Sequence, residues 1–493
     1  MMEQSASERF LRNRKLLWFV LGLTTFLFAI GNLPWRLDDY DQAKQAFTSF
    51  EMVKEGHWLY QRTPNERVAT KPPLVGWISA ALFAGTKSWA VAWRLPSFLC
   101  ALAILAFLYF AARNAYGEAA ALLAASAFGL NLLSLRLATL VRTDMPLALV
   151  IFLLGWQIWE KIRRNESWNM HDRVRAFLLL TASMLIKGPI VCAFLLPGIV
   201  TFEWRRRRHP TTGSAWCGWV PWLGAFAIFF LWVIGGILFA HNFFQDVVLR
   251  EFLGRFGETI HRPQPIYFYL PHLLHKFAPW SILGIALLIL KRIAGGARLE
   301  QLWRGTSPEI IWLFLWSFGG LFVMSLIPSK RVDRIFPIVP PLCLLLAALF
   351  SQIIANEKLR APATRWSAMA VLFAIVFCSG YAVIKTTEAF RHDRGALVRF
   401  GHAVRKEADT HRWQYDLVGG DDEGLLLYLD RPRFVRPEEV VKHWNAGTID
   451  AVIAPEEERP RLLHDLEGSV PSRLRSWDEG QKDVPRYILL TRS

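Results

Sequence analysis

The chain has 493 residues, of which 53% are apolar, 14% aromatic and 20% charged, with a mean hydropathy of +0.25. A soluble domain carries about a quarter charged residues, whereas here the apolar residues arrive in blocks near the bilayer-spanning length of about 20 residues, which excludes soluble, disordered and fibrous classes. The net charge of +16 comes from Lys and Arg gathered at the ends of those blocks, the pattern of a multi-pass membrane protein and not of a nucleic-acid-binding face.

Arg9, Arg12, Arg14 and Lys15 precede the first apolar run, and no small-residue cleavage site follows it, so this run reads as an uncleaved first span. Spans are expected near 16–34, 94–112, 118–140, 145–160, 176–189, 190–204, 217–240, 271–290, 310–327, 335–353 and 367–386, about eleven in all. The apolar segment 74–86 is shorter than the ~17 residues a span needs and follows Pro72-Pro73, so it reads as interfacial or re-entrant. With that segment not spanning, Arg113, Lys161, Arg163, Arg164, Arg205–Arg208, Lys291, Arg292, Lys358 and Arg360 join the N-terminal cations on one side, the cytoplasm by the positive-inside rule. The outer loops are then 35–93, 141–144, the Lys187-Gly188-Pro189 turn, 241–270 and 327–334, and these hold nearly every unusual polar constellation.

Residues 1–386 therefore read as an all-α polytopic membrane domain and 387–493 as a small α/β soluble domain on the outer, periplasmic face. In the latter, strand-like runs Tyr415–Val418, Ile449–Ala454 and Tyr487–Leu490 alternate with helical patterns near 436–445 and 458–466. Cys100, Cys192, Cys217, Cys343 and Cys378 have neither metal spacing nor an even count for a disulfide framework. No inverted or parallel repeat is visible, which counts against a secondary transporter.

In the first outer loop Ala43, Ala46, Phe47, Phe50 and Val53 recur at helical spacing, which predicts a helix whose apolar face lies on the membrane surface. Asp38 and Asp39 read as caps of that helix; Asp41, in its first turn, reads as functional. Lys71, held by two prolines, is either a phosphate ligand or a snorkelling anchor. Arg142 and Asp144 stand at the outer end of a span, where ionisable groups default to function, although the two can also pair with each other. Lys187 tips the next hairpin. Loop 241–270 offers Glu251, Arg255, His261 and Arg262, with Glu251 and His261 either metal ligands or structural groups, and then a Tyr267-Phe268-Tyr269 run that reads as an interfacial belt. Lys330, Arg331 and Arg334 crowd one outer turn against the sidedness rule, which calls for an anionic partner.

The ordered motifs Asp41-Gln42, Glu51-Met52-Val53, Gly56-His57-Trp58, Lys71-Pro72-Pro73-Leu74, Trp93-Arg94-Leu95-Pro96-Ser97, Arg142-Thr143-Asp144-Met145, Lys187-Gly188-Pro189, Ser329-Lys330-Arg331 and Pro337 resemble the bacterial branch of the dolichyl-phosphate-mannose protein mannosyltransferase superfamily, which includes the lipid A aminoarabinose transferases. The resemblance covers approximately residues 10–390. It implies the C-type glycosyltransferase fold, a polyprenyl-phosphate sugar donor such as undecaprenyl phosphate, a lipid, glycan or protein acceptor outside the cytoplasm, and a catalytic first-loop aspartate at the position of Asp41. Gln42 stands where relatives carry a second acidic residue, and Thr70 where the aminoarabinose enzymes carry one.

The expected function is glycosyl transfer at the outer face of a bacterial inner membrane, with Asp41 as base, Asp144 assisting it, and Lys71, Lys187, Lys330, Arg331 and Arg334 on the donor phosphate. Arg142, Glu251, Arg255 and His261 are further substrate-binding candidates. No cofactor is called for, and a divalent metal is left open. The alternative is a transporter or flippase of a lipid-linked sugar.

Overall fold

The computed structural model describes residues 6–37, 40–64, 67–208, 213–252, 254, 263–295, 306–420, 422–478 and 485–492. They form two compact units: residues 1–31, 70–75 and 94–382 make the first, and 32–69, 76–93 and 383–493 the second. Apart from residues 70–75, the first outer loop thus belongs to the same unit as the C-terminal tail, a grouping that linear composition does not disclose because the two are far apart in the chain.

The first unit is helical. Among the described residues six helices are long and apolar enough to cross a membrane, or seven if the pair Ile266–Lys276 and Trp280–Ile293, bent by 96°, counts as one. Each of the other expected spans also holds helix, but Arg14–Ile30 has 17 residues and Met170–Lys187 and Val191–Arg208 have 18 each. The structure corrects two expectations of continuous helix. The stretch 118–140 is broken into Glu118–Gly129 and Leu132–Leu137, and 271–290 bends where Pro279 lacks the N–H that would continue the ladder. The first break is possible at depth because its polar groups are satisfied inside protein. The buried Asn131 side chain donates to the Ala127 and Phe128 carbonyls at 2.8 Å and accepts from the Ser134 N–H, and the Leu130 carbonyl accepts from Trp280 Nε1 at 2.8 Å.

Small residues let these helices approach closely, the packing mode available where lipid supplies no hydrophobic drive between helices. Alanine dominates Glu118–Gly129, which is buried from Ala119 to Gly129. On Val191–Arg208, a Cβ at Gly198 would lie 3.1 Å from the Trp316 backbone of Pro308–Leu326. Helix Trp219–Phe239, by contrast, leaves Val220, Leu231 and Phe239 at 77%, 69% and 82% exposure, an apolar surface suited to lipid.

In the second unit the helix Tyr40–Glu55 forms as expected, but its apolar face does not lie on the membrane surface. Ala43, Ala46, Phe47 and Phe50 are buried, Phe50 packs on Trp89, and Trp89 stacks between Phe83 and Trp93. Amphipathic spacing tells that a face is covered, not by what. Asp38 and Asp39 lie outside the described residues. The expected short helix is found at Leu74–Thr86.

The tail carries a four-stranded sheet in the order β1 (Tyr415–Leu417), β2 (Ala451–Pro455), β4 (Tyr487–Arg492), β3 (Ser469–Arg475). β1 and β2 are parallel, and β4 is antiparallel to both its neighbours. Pro437–Asn445 and Arg459–Asp465 match the expected helices. Val440, Trp444, Val452, Leu462 and Leu490 are central to its core. β3 escaped the sequence pattern because Pro471 interrupts it and its residues are mostly exposed, both features of an edge strand.

Candidate active site

Within the first unit, helix ends and turns bring together residues that are far apart in the chain. Asp144 opens the Asp144–Arg164 helix, where a carboxylate complements the positive end of the helix dipole. Lys187 ends Met170–Lys187, where a cation complements the negative end, and Gly188 with φ +73° turns the chain away. The two meet at 2.5 Å between Lys187 Nζ and Asp144 Oδ1, with only 11% and 8% of their side chains exposed. Lys71 and Arg142 also lie within electrostatic reach of that carboxylate.

Besides lying within electrostatic reach of Asp144, Arg142 has a partner remote in the chain. Its Nη1 donates to Asp333 Oδ2 at 2.9 Å, both side chains 6% exposed, while the half-exposed Arg136 approaches Asp333 Oδ1 at 3.6 Å. Asp333 and Arg136 were missed in the sequence. Asp333 sits in the basic 330–334 turn, and the signal that could have revealed it was the single acidic residue among three cations.

The same turn holds the remaining candidates. Lys330, 6% exposed, donates from Nζ to the Gln264 carbonyl at 2.8 Å, and burial pushes its ammonium below the ordinary lysine range. The Gln264 N–H in turn donates to the Pro328 carbonyl at 3.1 Å, tying the two loops together. Arg334 Nη1 donates to the Ser329 carbonyl and hydroxyl at 2.5 and 3.1 Å. Lys330 and Arg334, two of the cations that seemed to require an external anion, are therefore held in part by backbone carbonyls and the Ser329 hydroxyl. Lys71, Arg136, Arg142 and Lys187 thus lie around the carboxylates of Asp144 and Asp333, with Lys330 and Arg334 in the adjoining turn.

Other sequence candidates fall elsewhere. Asp41 stands in the first turn of Tyr40–Glu55 in the second unit, half-buried. Glu251 lies half-buried in the π-helical segment Phe244–Phe252, and Arg255 and His261 lie outside the described residues. Glu51, 2% exposed, holds its own loop: its carboxylate binds His57 Nδ1 at 2.9 Å and accepts the Arg62 N–H at 2.5 Å. Burial raises the Glu51 carboxyl above its ordinary value against the pull of these hydrogen bonds. Among the described residues no three His, Cys, Asp or Glu side chains gather in a group that could hold a metal ion.

Comparison with known proteins agrees with this architecture. Residues 70–235 match the family model of dolichyl-phosphate-mannose-protein mannosyltransferase. The undecaprenyl phosphate-alpha-4-amino-4-deoxy-L-arabinose arabinosyl transferase of Aeromonas salmonicida is 27% identical over 398 residues, which cover 78% of this chain and 69% of that one. The second such transferase of Proteus mirabilis is 24% identical over 67% of this chain and 58% of its own length. In fold, ArnT from Cupriavidus metallidurans, solved bound to undecaprenyl phosphate, superposes with a TM-score of 0.65 at 16% identity, covering 97% of both chains. The Archaeoglobus fulgidus oligosaccharyltransferase in its apo form gives 0.51 at 13% identity, covering 92% of this chain and 71% of that one. The chain has the mostly helical C-type fold with a small sheet domain, and over residues 70–235 it is similar to the dolichyl-phosphate-mannose-protein mannosyltransferases and over most of its length to the aminoarabinose transferases.

Proposed function

We propose that the chain transfers a sugar from a polyprenyl-phosphate donor to a lipid acceptor at the outer face of the bacterial inner membrane, with the N-terminus cytoplasmic and the C-terminal domain periplasmic. The names of the relatives favour an amino-pentose as the sugar and undecaprenyl phosphate as its carrier. They favour transfer over transport. The observation that carries the reading is the buried, cation-rich network around Asp144, Lys187, Arg142, Asp333 and Lys330.

The chemistry follows from the bond that breaks. Cleavage of the bond between the anomeric carbon and the phosphate oxygen leaves the electron pair, and growing negative charge, on polyprenyl phosphate. Fixed cations at those oxygens lower the barrier because they need no reorganisation. Lys71, Lys330 and Arg331 are assigned to this role. Lys187, paired with Asp144, and Arg334, held by Ser329, are assigned to orient the surroundings. The acceptor nucleophile attacks the anomeric carbon from the opposite face and loses its proton to a carboxylate, assigned to Asp41. A single direct displacement inverts the anomeric configuration.

Mass spectrometry of envelope lipids and glycoproteins from cells with and without the protein tests this reading. Loss of one sugar modification is expected, and an unchanged profile under conditions where the protein is made overturns it.

A further inference from the structure

The second unit ties the helix that carries Asp41 to a short stretch of the C-terminal tail at both ends. Four residues before Asp41, the buried Leu37 N–H donates to the Tyr428 hydroxyl at 2.5 Å, and Tyr428 itself is 7% exposed. Beside it Gly424 lies against the Leu37 backbone so closely that a Cβ there would stand 2.7 Å from the Leu37 carbonyl oxygen. At the far end of the helix, Lys54 Nζ meets Asp430 Oδ2 at 2.7 Å and Arg433 Nη2 meets Glu55 Oε2 at 2.9 Å. Between these ties helix Glu423–Tyr428 packs along Tyr40–Glu55, and the buried Glu423 carboxylate lies within electrostatic reach of Lys44, one turn on from Asp41.

From this geometry we infer that residues 424–433 of the C-terminal domain are a positioning clamp for the Asp41 helix, with the Tyr428 hydroxyl as its principal positioning group. The two exposed ion pairs alone would do little, since such pairs contribute about 0–1 kcal/mol. The Tyr428 bond differs because it satisfies a buried backbone N–H that has few substitutes. Tyr428 acts through the Leu37 backbone, which fixes where the chain enters the helix, and small displacements of a catalytic group can cost about 100-fold in rate. The soluble domain is thereby a working part of the transferase and not an appended binding module. The inference rests on the proposed role of Asp41, and its test separates the two.

The full-length protein in detergent is assayed with a polyprenyl-phosphate sugar donor as Tyr428→Phe, Lys54→Asp, Asp430→Lys, the double exchange Lys54→Asp with Asp430→Lys, and Asp41→Asn. Tyr428→Phe removes only the hydroxyl and should lower kcat about 10- to 100-fold while donor KM stays within about twofold. Each charge reversal should lower kcat by a smaller factor, and the double exchange should restore it. Unchanged kcat in Tyr428→Phe, or a fall matched by an equal rise in KM, overturns the clamp whatever Asp41→Asn does. If Asp41→Asn stays active while Tyr428→Phe loses kcat, the clamp stands and the base assignment falls.

Discussion

Asp144 and Lys187 are 43 positions apart in the chain, yet their charged atoms meet at 2.5 Å in a site that leaves each side chain about one-tenth exposed. A buried pair of this kind is weak evidence for stability in itself, but removal of one partner strands the other charge at a cost of about 3–5 kcal/mol. Asp144→Asn should accordingly lower the thermal midpoint, and the double variant Asp144→Asn with Lys187→Met should recover most of it. Activity should not recover with it, because the surroundings of the leaving phosphate are altered in both. Thermal unfolding and turnover measured on the same preparations check this; full recovery of turnover in the double variant would reduce the pair to a structural tie.

Asp333 serves two arginines of unequal commitment. Arg142 is as buried as Asp333, whereas the Arg136 side chain is 40% exposed and its contact is longer. Arg142→Ala should destabilise the protein by several-fold more than Arg136→Ala, since Asp333 keeps only the longer, half-exposed contact to Arg136 in the first case and its buried partner Arg142 in the second. Chemical denaturation of the two variants provides the comparison, and equal losses would contradict it.

Lys71 and Lys330 separate phosphate binding from anchoring. Methionine preserves the apolar stem of either lysine and removes only the ammonium. On the phosphate reading, Lys71→Met and Lys330→Met both weaken inhibition by free polyprenyl phosphate, and Lys71→Arg restores part of it because charge returns without the compact ammonium geometry. Inhibition assays in detergent, where anchoring matters less, should show this, and unchanged inhibition in both methionine variants would remove the phosphate site.

Glu423 gives a pH dependence of definite sign. Burial raises its carboxyl above the ordinary glutamate value, with Lys44 opposing. A carboxyl with a raised native value binds its proton more tightly when folded, so stability falls as pH rises from the unfolded value through the folded one. Glu423→Gln should therefore raise the thermal midpoint near neutral pH, and the gain over wild type should shrink as pH approaches 4. Calorimetry across that range checks the sign; a gain that grows on acidification would contradict it.

Sidedness, which rests on charge parity, is tested by single cysteines. One at Glu457, exposed in the tail, should react with an impermeant reagent outside intact cells, and one at Ser167, between two helices on the basic side, should not.

Much of this molecule was legible in one sequence, and the exceptions have physical causes. Blocks of apolar residues locate helices well because burial of the backbone in lipid leaves no alternative, but they do not reveal the break at Asn131, where a single side chain satisfies the freed backbone. Periodicity identified the covered face of Tyr40–Glu55 while leaving its cover unknown, since Trp89 and the C-terminal tail are remote in the chain. The cations of the site stood out because charge beside spans is costly. Their partners did not: Arg142 reaches Asp333, 191 positions along the chain, a contact made by tertiary packing alone.

The most direct test of the account uses purified protein, a polyprenyl-phosphate-linked amino sugar and envelope lipid acceptor, with released polyprenyl phosphate and glycosylated acceptor counted together by mass spectrometry. The account predicts equal amounts of both products from wild type, with turnover about 10²–10⁴-fold lower in a folded Asp41→Asn variant. Near-normal turnover in that variant, or no acceptor-dependent release from wild type, would contradict it.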